Sequence, residues 1–91
     1  MSEHLSPHHR ETLEKIFSHP TSSNIEWRQV QSLLEAVADR TEEHDGKSKV
    51  TIRGETLTLE RPHGKDAELD TIVELRRYLT AVGLAPDDQA S

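Results

Sequence analysis

His44, Lys47, His63 and Lys65 are the residues whose types and spacing suit chemistry on a phosphate. Metal-free transfer at a phosphodiester takes a base for the attacking hydroxyl and an acid for the leaving oxygen. It also takes positive charge on the phosphate. Histidine, with an unperturbed pKa of about 6.5, supplies the first two near neutrality. The catalytic candidates are therefore His44 and His63, with Lys47 and Lys65 holding the phosphate. The plainer alternative makes His44 a solvated hairpin residue and His63 a loop-ordering one. Lys49, Arg53 and Arg61 extend the cationic set. Between Lys47 and Lys65, five basic residues face only Glu55 and Glu60, a net of +3 in a chain of net −6. The remainder thus sums to −9. An acidic protein that gathers positive charge in one stretch is a candidate anion binder, with RNA the foremost anion. The overall acidity argues against indiscriminate nucleic-acid binding, which is mostly phosphate neutralisation.

The elements that must position these residues follow from local signals. Ser6-Pro7 reads as a helix cap and first helical position. Leu13, Ile16 and Phe17 then share a face, and His19-Pro20 stops the helix. Thr21 to Asn24 is a polar linker. A second helix from about Trp27 carries the apolar stripe Trp27, Val30, Leu33, Leu34 and Val37. Asp45-Gly46 signals a type I′ hairpin turn, pairing His44 with Lys47, Glu42 with Lys49 and Thr41 with Val50. Gly54-Glu55 signals a type II′ turn, pairing Arg53 with Thr56, Ile52 with Leu57 and Val50 with Leu59. Val50, Ile52, Leu57 and Leu59 then share the covered face, and Pro62 lies opposite Lys47. In that register Lys49 sits between Glu42 and Glu60, and such cross-strand pairs contribute about 0.2–1 kcal/mol each. Lys47, Arg53, Arg61 and Lys65 remain less compensated. A last helix spans about Leu69 to Val82, burying Leu69, Ile72, Leu75, Leu79 and Val82, with Gly83 as terminator. The expected fold is α+β: a three-stranded antiparallel sheet with helices packed on one face, in the order α-α-β-β-β-α.

Residues 25–84 resemble the HicA family of small bacterial toxins. The resemblance rests on the helix near Trp27, the glycine-turn hairpin, the run Pro62-His63-Gly64-Lys65-Asp66, and the closing Leu79-Thr80-Ala81-Val82-Gly83-Leu84. It implies a double-stranded-RNA-binding-domain-like fold, here with an extra N-terminal helix. It also implies metal-independent mRNA cleavage and a HicB-like antitoxin partner. The family uses a second-strand histidine in a Gly-Ser-His context. Matching Gly46 to the family glycine puts Ser48 at that position, and serine does not shuttle protons near neutral pH. The alternatives are a non-catalytic module that binds RNA or protein through the same face, and a small adaptor that self-associates, as a homodimer, through its first helix.

Residues 1–24 form the N-terminal helix and linker, 25–84 the HicA-like domain, and 85–91 a loose tail. The absence of cysteine excludes disulfides and thiolate chemistry and suits the cytoplasm. No apolar run nears the roughly 20 residues that span a bilayer, and no signal peptide is visible. No cofactor is expected. Nor is a metal: His8 and His9 are adjacent and point apart, His19 lies at the other end of that helix, and no thiolate helps. Trp27, at the head of its stripe, reads as a core residue rather than a base-stacking platform. Arg76 and Arg77 read as solvent-facing.

Overall fold

The computed structural model describes residues 6–18 and 25–86. The stop signal at His19-Pro20 and the linker Thr21 to Asn24 lie outside these residues, as does the end of the tail. Three helices and three strands follow in the expected order.

Helix α1 spans Pro7–Ile16, and the Ser6 hydroxyl accepts the His9 N–H at 3.3 Å. Leu13, Ile16 and Phe17 are buried, and the buried Thr12 hydroxyl is satisfied by donating to His8 O at 3.0 Å. Helix α2, Trp27–Val37, opens on a capping box formed by Glu26 and Gln29. It buries Trp27, Val30, Leu33 and Leu34, while Val37 is partly buried. Helix α3, Leu69–Ala81, closes on Gly83 at φ +84°. Gly83 N–H donates to Thr80 O at 3.1 Å and Leu84 N–H to Leu79 O at 2.8 Å, the paired bonds of a Schellman cap.

Strands β1 (Arg40–His44), β2 (Lys47–Ile52) and β3 (Glu55–Glu60) form an antiparallel sheet in sequence order. The first hairpin has the expected register, with Asp45 at φ +56° and Gly46 at +76°. The second differs by two residues. Its turn is Arg53-Gly54, at φ +53° and +85°, which is type I′ rather than II′. Ile52 therefore pairs with Glu55, Val50 with Leu57 and Ser48 with Leu59. Arg53 is held in this left-handed conformation by two bonds. Its N–H donates to Asp39 Oδ2 at 3.1 Å, and its Nη1 donates to Val82 O at 2.7 Å. A two-residue slip keeps every side chain on its original face, so Val50, Ile52 and Leu59 are still buried and Leu57 still packs against the core.

Helix α2 packs over β1 and α3 over β3, while α1 bridges α2 and α3. All three helices feed one core. Arg76 is not simply solvent-facing: its Nε donates to Ile16 O at 3.0 Å and its Nη2 to Ser18 O at 3.5 Å, tying α3 to the end of α1. Two further positions on α3 depart from the expected stripe. Leu69 is 54% exposed, because it lies about 90° from the centre of the Ile72–Leu75–Leu79 stripe by helical phase. Tyr78 takes a buried place instead, its hydroxyl donating to Glu55 O at 2.6 Å and Val50 O at 3.4 Å. Ala85, the first residue of the expected loose tail, packs against the core. No helix among the described residues is long and apolar enough to cross a membrane.

Candidate nucleic-acid interface

The slipped register redistributes charge on the open face of the sheet. Glu60 lies opposite Lys47, and Lys49 lies between Glu42 and Thr58. His44, Lys47 and Glu60 thus share one row. Thr51 and Thr56 face each other in another, their hydroxyl oxygens 3.1 Å apart. Pro62 is no longer opposite Lys47, since the β2–β3 pairing ends at Lys47–Glu60 and Arg61 N–H donates to Gly46 O at 3.0 Å. Arg40, Lys47 and Lys49 oppose Glu42 and Glu60 on this face, which is close to neutral.

The loop after β3 builds a more cationic place. Its path is fixed by backbone bonds to the segment leading into α2. Ala67 N–H donates to Ile25 O at 2.8 Å, Trp27 N–H donates to Lys65 O at 2.7 Å, and Glu26 and Asp66 form an isolated bridge. These bonds draw Arg61, His63, Gly64 and Lys65 around the start of α2, next to Glu26, Trp27 and Arg28. The result is a groove of about 510 Å³. Arg28, Arg61 and Lys65 supply three positive charges there and Glu26 one negative charge. Arg28 Nε lies 3.0 Å from Glu26 Oε1, and Lys65 Nζ lies 3.9 Å from Glu26 Oε2. Arg61 Nη2 lies 3.5 Å from Glu43 Oε1, and Glu43 also accepts from Gln31. Arg28 and Glu26 were not singled out by sequence reading. Their link to the loop is a tertiary contact between segments far apart in the chain, and no local pattern signals it.

The cationic candidates therefore fall into three groups. Arg61, His63 and Lys65 meet in this groove. Lys47 and Lys49 lie on the open sheet face with His44. Arg53 sits at the far end of β3, bonded to the C-terminus of α3.

His44 and His63 do not line a common groove. His44 Nε2 lies 3.4 Å from Asp45 Oδ2 at the hairpin tip. His63 lines the cationic groove and a neighbouring one of about 410 Å³, and His44 lines neither. The neighbouring groove is acidic, with Glu60, Glu68, Asp70 and Glu74 against Arg61. Ser48, which the expected HicA resemblance would set at the histidine position, is only 9% exposed. It points to the helix-covered side and lines a cavity of about 30 Å³ with Trp27, Gln31 and Glu43. Trp27 is a core residue at 6% exposed, and its buried Nε1 has no hydrogen-bond partner among the described residues. Among the described residues no group of three or more His, Cys, Asp or Glu side chains is placed to hold a metal ion.

The groove thus brings three cationic side chains and the exposed His63 onto one surface. No protein-family model, curated protein or solved structure matches this chain.

Proposed function

We propose that this protein is a HicA-like RNA-interacting module that grips the RNA backbone in the groove between the start of α2 and the loop after β3. The observation that carries the reading is the convergence of Arg28, Arg61 and Lys65 on one concave surface of an otherwise acidic protein. Such a groove contacts phosphates without reading bases, so it positions a strand rather than selecting a sequence. The balanced open sheet face contributes less. Binding, rather than cleavage, is the activity the geometry favours. Ser48 is buried beneath α2, and of the two candidate histidines only His63 lines the groove. A HicB-like protein, where one exists, would act by covering this same groove. The absence of cysteine accords with a cytoplasmic setting. Self-association through the apolar face of α1 is disfavoured, because Leu13, Ile16 and Phe17 already pack inside the chain's own core.

A metal-independent endoribonuclease is the second reading. Its support is the exposed His63 beside Arg61, placed where a strand in the groove would pass. Incubation of purified protein with RNA in chelator separates the two. Retention of intact RNA with a salt-dependent affinity supports the module, and specific cleavage abolished by His63→Ala establishes the enzyme. Neither binding nor cleavage sinks both. Contact with two to four phosphates sets the expected slope of log affinity against log salt, roughly −1.4 to −2.8 for single strands.

A further inference from the structure

The cationic groove already holds an anion, and it is the protein's own. The Glu26 carboxylate reaches Arg28 Nε at 3.0 Å through one oxygen and Lys65 Nζ at 3.9 Å through the other. Its side chain is 30% exposed, whereas those of Arg28 and Lys65 are 87% and 80% exposed. The carboxylate thus lies at the floor of the groove, and its two cationic partners stand above it. Glu26 is held in place by its position as the N-cap of α2 and by Gln29, whose side-chain oxygen accepts the Glu26 N–H at 3.0 Å. The antiparallel bridge to Asp66 fixes the same residue from the loop side.

We propose that Glu26 is an internal competitor for RNA phosphate: it occupies Arg28 and Lys65 in the free protein and must give them up when a strand binds. This rests on the RNA-binding reading and adds an affinity-setting residue to it. Exposed ion pairs of this kind are weak, so exchange of the carboxylate for a phosphate is easy. Phosphate offers more acceptor oxygens to the same donors, but the retained carboxylate charge repels it. A single phosphate gains little from that exchange. A strand that also engages Arg61 gains more, so Glu26 biases the groove towards polymers over mononucleotides.

The test is an anisotropy titration of the full chain with a labelled single-stranded oligoribonucleotide, comparing wild type with Glu26→Gln. Glutamine keeps an oxygen at the cap while removing the charge. Glu26→Ser, a strong cap residue, is the second variant should the first be unstable. Glu35→Gln, on the same helix but outside the groove, controls for net charge. The expected result is about five-fold tighter binding by Glu26→Gln at low salt, the worth of one like charge at about 4 Å in water. The gain shrinks as salt rises, and Glu35→Gln stays near wild type. Equal affinities of wild type and Glu26→Gln, with both weakened by Lys65→Ala, overturn the inference and leave the RNA reading standing. An equal gain from Glu35→Gln also overturns it. No RNA binding by any of the proteins overturns the reading and the inference together.

Discussion

Arg53 and Arg61 stand just before and just after β3, and the protein uses them in opposite ways. Arg53 is part of the architecture. Its backbone N–H is bonded to Asp39 and its guanidinium to Val82 O, so one residue ties the β2–β3 turn both to the start of β1 and to the end of α3. Tyr78 reinforces the same end of the sheet through Glu55 O, and the Schellman cap closes α3 beside it. Arg61 lies at the other end, where backbone bonds fix a loop and its own guanidinium reaches Glu43 Oε1 only at 3.5 Å with both side chains exposed. Charges bonded to buried carbonyls stabilise a fold. Charges held loosely around a groove remain available to a ligand.

Breaking the latched end should cost the most. Gly83 has φ +84°, and a Cβ added there would lie 2.8 Å from Arg53 Nη1. Gly83→Ala is therefore expected to destabilise by about 1–3 kcal/mol through left-handed strain and displacement of the guanidinium. Urea unfolding measures this, and the loss should be smaller in an Arg53→Ala background, where the clash is gone.

Tyr78→Phe should cost less, about 1 kcal/mol, because one hydroxyl with two backbone acceptors is lost. It also has a pH signature. Burial, and then the nearby Glu55 and Asp39 carboxylates, push the Tyr78 phenol above its ordinary value of 10.0. The neutral phenol is thus favoured in the folded state. Its contribution is fully present below about pH 10 and is lost as pH rises from there through the folded value. Unfolding followed from pH 9 upward should show a steeper loss for wild type than for Tyr78→Phe, and equal slopes would contradict this assignment.

Much of the frame could be read from local signals, because helix stripes, caps and the Asp45-Gly46 turn are local properties. The second hairpin could not. Val50, Ile52, Leu57 and Leu59 point inward in either register, so alternation fixes parity and leaves a two-residue slip open. What selects the type I′ turn is Asp39 and Val82 holding Arg53, contacts that span 14 and 29 residues. The site suffered from the same blindness. The Pro62-His63-Gly64-Lys65 loop stands out in the sequence, but the start of α2, which completes the groove with Arg28 and Glu26, is joined to it only by tertiary backbone bonds. The slip also moved Glu60 from Lys49 to Lys47, which changed the balance of charge on the open face.

The contrast between the two ends is tested most directly by one crossed measurement. Arg53→Ala and the pair Arg61→Ala with Lys65→Ala are each assayed for thermal stability and for affinity to a single-stranded RNA across a salt series. Arg53→Ala should lose about 1–2 kcal/mol of stability, from a charged bond to a backbone carbonyl, and keep its RNA affinity and salt slope. The Arg61 and Lys65 pair should stay within about 0.5 kcal/mol of wild-type stability. It should lose affinity, with its salt slope shallower by about 1.4, the share of two phosphates on a single strand. An Arg53 variant that loses RNA affinity as strongly as the Arg61 and Lys65 pair, or a pair that binds with the wild-type slope, would contradict the account.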